Sequence, residues 1–514
     1  MSLDEHFRPE FPERFNLADY FLDDRVREGK GGDVAIIAGD RSLTYGDVQA
    51  QSNRLAHVLR DAGIGVEDRV LLALPDAPEF AFAFFATLKL GAVVTMVNPE
   101  LPAEDFDYYL DYTRARAIVL DEALHERIAP QLARARHLRV VLRRRGGLEA
   151  ALAAASPRFE NEPTSKDDLA IWLFTSGSTG KPKAAVHMHH DFAFNTECYA
   201  KRVLGLHAGD VTLAVPKLYF GYATGTNLMF PFAVGARTVL FEEKSTPERL
   251  IELIERHRPT ILTTVPTMIA KMLAVPDAAR HDLSSLRLSV SAGEALPEEL
   301  YLRWQRTFGS EILDGIGSAE LFHIYISNRV GDVRPGTLGR VVPGYKAHVR
   351  DDDGHDLGPG EIGTLWVKGD SAAVCYFGAH EQSKEVLRGD WVVSGDKFSR
   401  DADGVFTYAG RADDLLKVGG IFVAPLEVEN VLLRHTDVLE CVVVGYEDEA
   451  RLVKAKAVVV LKAGIAAAEE ERIGTELIAL VRAELAHYKV PRRIEFVAEL
   501  PRSDRGKVLR KLVS

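Results

Sequence analysis

A chain of 514 residues, 46% hydrophobic and 27% charged, has the composition of a globular protein with a sizeable core, which excludes disorder as the dominant state. At roughly 150 residues per domain the length points to about three domains, or one large and one small. Lys and Arg number 63 against 75 Asp and Glu, so the formal net charge is −12 and neither a nucleic acid nor a membrane is expected as a partner.

Residues 1–16 mix acids and bases with no apolar stretch, unlike a signal peptide. Short β-branched apolar runs follow at 34–38, 69–74, 92–97, 117–120, 140–143, 169–174, 211–215, 237–241, 260–265 and 286–291. Helix-length segments lie between several of them, at 45–62, 247–257 and 297–307. This alternation predicts α/β architecture, with two subdomains of largely parallel sheet covered by helices. The most apolar stretch, 80–97, contains Lys89 and Gly91 and reads as a buried helix followed by a strand rather than a membrane span. From about residue 335 to 411 the segments shorten and alternate, separated by the turn signals Asp353-Gly354, Arg388-Gly389 and Asp403-Gly404, which predicts a small antiparallel β subdomain. A further α/β pattern starts near 412. It has strands at 438–445 and 454–461 and a helix at about 471–487 with Ile473, Leu477, Leu480 and Val481 on one face. The expected organisation is a large N-terminal domain, 1–411, and a smaller α+β domain, 412–514. Cys198, Cys375 and Cys441 are too few and too dispersed for a disulfide framework or a cysteine-rich zinc site, and a reducing cytoplasm is the expected location.

The sharpest local signal directly follows the run 169–174: Thr175, Ser176, Gly177, Ser178, Thr179, Gly180, Lys181, Pro182, Lys183. Two glycines, several hydroxyls and two lysines make a cradle suited to polyphosphate. The bland reading is a solvated turn. The spacing is neither a Walker A loop nor a nucleophile elbow. This loop resembles the phosphate-binding signature of the acyl-adenylate-forming superfamily, which comprises acyl-CoA synthetases, adenylation domains and luciferase. The superfamily's remaining signatures follow in the same order along nearly the whole chain.

The resemblance implies roles for the later motifs. Gly293, Glu294 and Ala295, in a strand-to-helix turn, would line the adenine; Asp314, Gly315 and Ile316 would flank it, with Ser318 close by. Glu320 would hold a magnesium ion that bridges the phosphates, a fitting task for a hard carboxylate oxygen. The family usually has Thr before this Glu; here Ala319 lacks the hydroxyl. Asp396 would accept hydrogen bonds from the ribose, with Arg411 as its partner, although an Asp at such a site is ordinarily just a turn residue. Asp413 would be the hinge on which a mobile C-terminal domain turns. Lys417, Gly419 and Gly420 would border the coenzyme A tunnel unless they form a plain hairpin turn. Lys507, which otherwise reads as part of a solvated tail, would be catalytic together with Thr175 and Glu320. Its Gly-Lys setting resembles an acetylation site, implying a lysine acetyltransferase and deacetylase as partners.

The segments around Tyr222 and His323 resemble benzoate-CoA ligases more than fatty acyl-CoA synthetases. Tyr222, Gly317, His323 and Ile324 would form a flat slot for a small aromatic carboxylic acid; core packing, with His323 as a satisfied core histidine, is the alternative. The run His187-Met188-His189-His190 suggests a metal site, a reading disfavoured because no matching carboxylate spacing accompanies it. The expected activity is that of an AMP-forming aryl-CoA ligase using ATP, magnesium and coenzyme A on benzoate or a hydroxy- or aminobenzoate, as a monomer or homodimer. The alternatives are a free-standing adenylation enzyme that loads a carrier protein and a non-catalytic nucleotide-binding relative.

Overall fold

The apolar runs of the first 320 residues become the strands of two large sheets in the computed structural model, which describes residues 7–175, 181–411, 416–418, 421–447, 453–502 and 508–513. One sheet has seven strands, in the spatial order Cys375–Tyr376, Lys183–Met188, Leu169–Thr175, Val93–Met96, Arg69–Ala73, Ala117–Leu120 and Val140–Arg143. The last five are parallel; the first two run antiparallel at one edge. The second sheet has nine strands, in the order Arg340–Val341, Ile324–Ser327, Glu311–Gly317, Leu288–Ser291, Ile261–Thr264, Val211–Ala214, Arg237–Leu240, Val34–Ala38 and Arg41–Thr44. Its central six are parallel.

A single core joins the two sheets. It runs from Val70 and Ile171 through Phe84 and Phe85 of helix Pro78–Lys89 and through Phe230 and Phe232 to Ile36 and Leu288. Helix Pro78–Lys89 is apolar on all sides because it is buried on all sides. Its one buried charge, Lys89, is held 2.5 Å from Asp23 and 3.2 Å from the Asn161 side-chain oxygen, the pairing a buried ammonium requires, while Glu79 in the first turn is partly exposed and pairs with Arg144. Among the described residues no helix is long and apolar enough to cross a membrane.

A five-stranded antiparallel sheet follows, comprising Lys346–Arg350, Gly363–Lys368, Trp391–Arg400, Leu387–Arg388 and Phe406–Arg411. It is narrower than the predicted span from about 335. Arg340–Val341 joins the nine-stranded sheet, and Cys375–Tyr376 pairs with Ala185 and Val186 of the seven-stranded one. Alternation identifies a strand with one buried face but not which distant edge it pairs with. The C-terminal residues have a core of their own. Strands Val438–Glu447, Val453–Leu461 and Arg493–Phe496 form a mixed sheet covered by helices Pro425–Leu432 and Glu470–Glu484, with Val443, Val459, Ile473 and Leu477 buried between them.

Strand Glu311–Gly317 was not anticipated, because its last residues, Asp314-Gly315-Ile316-Gly317, lack the alternation of a strand. Its glycines answer to the neighbouring strand: a Cβ on Gly315 would lie 2.7 Å from the Ile326 carbonyl oxygen. Thr264, Ser291 and Gly317 end strands at the carboxyl edge of the parallel part of the nine-stranded sheet, and Thr175 does so in the seven-stranded one, the edge at which open α/β sheets bind ligands.

Candidate active site

Thr175 and Lys183 face each other across the antiparallel pair Leu169–Thr175 and Lys183–Met188, so the glycine-rich loop is the connection of a hairpin. Ser176, Gly177, Ser178, Thr179 and Gly180 lie outside the described residues. The loop's exit is held by tyrosines. Tyr108 donates to the Pro182 carbonyl at 2.5 Å and stacks on Tyr112, and Lys181 Nζ sits 5.3 Å from the Tyr108 ring centre. Lys183 Nζ lies 4.2 Å above the ring of Tyr376, whose hydroxyl donates to Glu320 Oε1 at 2.5 Å. Burial and then the adjacent Glu320 carboxylate push the Tyr376 phenol well up, so it remains a donor. One tyrosine thus bridges the lysine of the cradle and the carboxylate opposite.

The Asp314 carboxyl is buried at the end of its strand. Its Oδ2 accepts from the Leu296 amide at 3.4 Å, and its Oδ1 makes no hydrogen bond of good geometry, with the Ser291 hydroxyl and the Gly315 amide nearby. A carboxyl oxygen buried beside the turn at Gly293 is placed to meet a polar edge of a ligand such as adenine. Gly293 has φ +87 with nothing within 4 Å of where a Cβ would be, so its requirement is backbone conformation and the space above it is open. Glu294 is committed elsewhere: its Oε2 accepts from the Thr267 amide (3.1 Å) and hydroxyl (2.8 Å) at the N-terminus of helix Pro266–Leu273, which leaves the backbone of Gly293 and Ala295 to face a ligand. Asp396 and Arg411 are direct cross-strand partners, and Ser394 Oγ accepts from the Asp396 amide. Burial chiefly, then the charges of Asp396 and Glu320, raise the Tyr325 phenol, so both carboxylates lie within electrostatic reach of it.

Burial holds the Asp314 carboxyl up at about 8, opposed by the Ser291 hydroxyl and then by the Leu296 and Gly315 amides. The folded chain therefore keeps a proton that the unfolded chain, with the ordinary value of 3.8, has released, and stability contributed by this group is lost as pH rises through that window. Asp314→Asn should flatten the decline in denaturation midpoint across that window. A residual slope should persist from buried Asp76, which burial holds at about 7. An unchanged slope in Asp314→Asn would refute the assignment.

Residues Ala319–Leu321 form a single 3₁₀ turn, followed by Phe322 at φ +68, ψ −61. The His323 amide donates to the Leu321 carbonyl at 2.9 Å, making a γ-turn of the rarer positive-φ kind, a strained conformation of the sort found at functional sites. The turn delivers His323 into a cage of rings: Phe230 at 4.7 Å, Tyr222 at 5.3 Å, Phe322 at 5.5 Å and Tyr199 at 5.6 Å between centroids. Because the Tyr222 carbonyl can only accept, the His323 Nε2 at 3.0 Å from it carries the proton. Burial lowers the imidazole to about 3, so it is neutral and its buried Nδ1 is a bare acceptor without a partner. Tyr222 is fixed by its hydroxyl, which donates to the carbonyls of Val290 (3.1 Å) and Thr264 (3.3 Å). Gly317 lies against the His323–Ile324 backbone, and Gly225 lies against the imidazole. Tyr222, Gly317, His323 and Ile324 are therefore brought together, with Gly317 and His323 each three residues along the chain from Glu320.

Residues 22–377 match the AMP-binding enzyme family and residues 427–507 the AMP-binding enzyme C-terminal domain. The chain belongs to the AMP-binding enzyme family. It is 43% identical to a benzoate–CoA ligase of Thauera aromatica over 97% of this chain and 95% of that one. Among solved structures it superposes with a TM-score of 0.93 on the anthranilate CoA ligase AuaEII in complex with anthranoyl-AMP, at 36% identity and covering 98% and 97% of the two chains. With a benzoate CoA ligase from Burkholderia xenovorans LB400 the TM-score is 0.88, at 40% identity, covering 97% of this chain and 99% of that one.

Within this AMP-binding enzyme several expected site residues, Asp413, Gly419, Gly420 and Lys507, lie outside the described residues. The backbone of Lys417 pairs with Phe422 in a short hairpin. Arg502 and Val508, on either side of Lys507, pair with each other, and Arg502 Nη1 donates to Thr267 Oγ1 at 3.3 Å, so Arg502 reaches the start of helix Pro266–Leu273 at the residue that bonds Glu294. Glu320 fits a magnesium ion: a partly exposed carboxylate with hard oxygen donors suits a cation that keeps several waters and phosphate oxygens. The histidine run is not a metal site. His189 Nδ1 accepts from the Leu17 amide, His190 Nδ1 donates to the Lys166 carbonyl, and His187 faces Asp191 and Ala319. Sequence reasoning missed Tyr376, Tyr325 and Tyr108; the first lies 56 residues from its partner Glu320, and no local spacing marks it.

Proposed function

We infer that this chain is an AMP-forming aryl-CoA ligase that activates benzoate or a small hydroxy- or aminobenzoate with ATP and transfers the aryl group to coenzyme A. The observation that carries the reading is the enclosure of His323 by four rings three residues after Glu320. That distance suits a short aromatic acid and not a long alkyl chain. The aryl carboxylate attacks the α-phosphorus of ATP, and pyrophosphate leaves. The thiol of coenzyme A then attacks the acyl carbon of aryl-AMP, and AMP leaves. The physical problem is an anion approaching a polyanion. Lys181, Lys183 and the loop from Thr175 to Gly180 gather the phosphates, Lys507 meets the developing charge, and Asp396 and Arg411 hold the ribose. A magnesium ion held by Glu320 would supply further charge neutralisation. Residues 1–411 form the nucleotide- and acid-binding portion. Residues 412–514 turn about Asp413 to exchange Lys507 for Lys417, Gly419 and Gly420 between the two steps. The reading includes a cytoplasmic location, to which the free thiols of Cys198, Cys375 and Cys441 are suited.

Pyrophosphate release across a panel of aryl and alkyl acids, with coenzyme A or a phosphopantetheinylated carrier protein as acceptor, tests the reading. Release with aryl acids and an aryl-CoA product is expected; alkyl preference or carrier-only transfer would overturn it. The bare Nδ1 of His323 favours a ring substituent that donates a hydrogen bond. His323→Ala should therefore raise the KM of a hydroxy- or aminobenzoate more than that of benzoate, by about 1–3 kcal/mol, and leave ATP binding nearly intact. Equal loss for all aryl acids would mean that the imidazole only packs.

A further inference from the structure

His187 and Asp191 form a fully buried pair that the reaction as described does not use. His187 Nδ1 lies 2.8 Å from Asp191 Oδ2, and His187 Nε2 donates to the Ala319 carbonyl at 2.6 Å. Asp191 is itself fixed: the Met188 amide donates to the same Oδ2 at 3.1 Å, at the start of helix His189–Asn195. A carboxylate that orients an imidazole, which in turn grips one specific atom, is an arrangement that positions that atom. The atom here is the carbonyl immediately before Glu320.

The rest of the segment is held in the same manner, through its main chain. The Ala373 amide donates to the Glu320 carbonyl (2.8 Å), Ser371 Oγ donates to the Leu321 carbonyl (2.9 Å), and Asn195 Nδ2 donates to the Ile324 carbonyl (3.0 Å). Asn195 belongs to the same helix as Asp191, and His187 to the strand that begins at Lys183. The side chain of Ala319 offers no polar anchor, so the residue can be gripped only through its main chain. The strand bearing one lysine of the phosphate cradle is thereby tied across 132 residues of sequence to the turn bearing Glu320.

We propose that His187, oriented by Asp191, is a positioning residue for Glu320: it fixes the Ala319 carbonyl and so sets the Glu320 carboxylate against the phosphate cradle. The proposal rests on the reading of Glu320 as the carboxylate that adenylation needs. Two replacements divide the imidazole's contacts. His187→Gln places an amide donor near the Nε2 position and keeps the bond to Ala319. His187→Asn reaches only the Nδ1 position, keeps Asp191 and releases Ala319.

The experiment uses the full chain and four readouts: benzoate-dependent exchange of pyrophosphate into ATP, conversion of chemically supplied benzoyl-AMP to benzoyl-CoA, thermal midpoint, and ATP affinity by calorimetry without acid. His187→Asn is expected to lower kcat for exchange by about ten- to a hundredfold, as misplacement of a catalytic group by about 1 Å does, with little change in the KM for benzoate. It should convert supplied benzoyl-AMP at a near-normal rate. His187→Gln is expected to restore most of the exchange rate, even where its midpoint is no higher than that of His187→Asn. Equal loss in the two variants, loss that follows the thermal midpoint, or equal loss in both half-reactions would overturn the proposal. Glu320→Gln separates this outcome from failure of the functional reading. If Glu320→Gln leaves exchange intact, the reading of Glu320 falls; if it abolishes exchange while His187→Asn does not affect it, only the positioning role falls.

Discussion

Lys507→Ala is expected to lower aryl-AMP formation by about two to three orders of magnitude, the loss of about 3–4 kcal/mol seen when one stabilising donor is removed from a developing anion. The lysine sits in the segment that matches the AMP-binding enzyme C-terminal domain, and Arg502, which pairs with Val508 beyond it, donates to Thr267 at the start of helix Pro266–Leu273. On the proposed role, this lysine serves the phosphate chemistry alone. Supplied aryl-AMP should therefore still become aryl-CoA at a near-normal rate, measured by thioester formation from synthetic benzoyl-AMP. Acetylation of Lys507 removes the same charge and should reproduce the loss, with recovery on deacetylation. Equal losses in the two half-reactions, or full activity of the acetylated enzyme, would contradict the role.

Gly317→Ala is expected to be the most damaging small substitution in the site. A Cβ there would lie 2.7 Å from the carbonyl carbon and oxygen of His323 and 2.9 Å from the Ile324 nitrogen. All three are backbone atoms, so no side-chain end can swing away. Gly317 pairs directly with Ile324, and the chain between them carries Glu320, Phe322 and His323. Relief therefore requires moving the turn that serves both the phosphate and the aryl side. About 1–3 kcal/mol of stability should be lost, with a fall of about a hundredfold in pyrophosphate exchange. Gly293→Ala is the comparison. It has φ +87 but open space around the new carbon, so it should cost about 1–2 kcal/mol of backbone strain without displacing any neighbour. Urea midpoints and exchange rates for both variants check this; a Gly317→Ala enzyme as active as Gly293→Ala would show that the strand pair yields.

Much of the fold was legible because its strands are short apolar runs and its helices carry one apolar face. Ala117–Leu120, Val140–Arg143 and helix Pro247–His257 fall on the residues the patterning marks. Strand pairing was not legible to the same degree. Cys375–Tyr376 falls inside the span read as a small antiparallel β subdomain, yet it extends the edge of the seven-stranded sheet. Glu294 reads as a residue of the nucleotide loop, yet its carboxylate ties that loop to helix Pro266–Leu273.

By itself the sequence determined the α/β class and the order of the motifs along the chain, and its resemblance to a family suggested what each would serve: a loop of hydroxyls and lysines for phosphate, Glu320 for a hard cation, aromatic residues near Tyr222 and His323 for a ring. These are local properties, written within a few residues of one another. Only the tertiary structure decided which groups meet. Tyr376 bridges Lys183 and Glu320, the Tyr222 carbonyl assigns the proton of His323 to Nε2 and leaves Nδ1 bare, and His187 grips the residue before Glu320. The reason is that burial fixes what each polar atom must bond to, and its partner is the nearest complementary group in space, which sequence spacing does not encode.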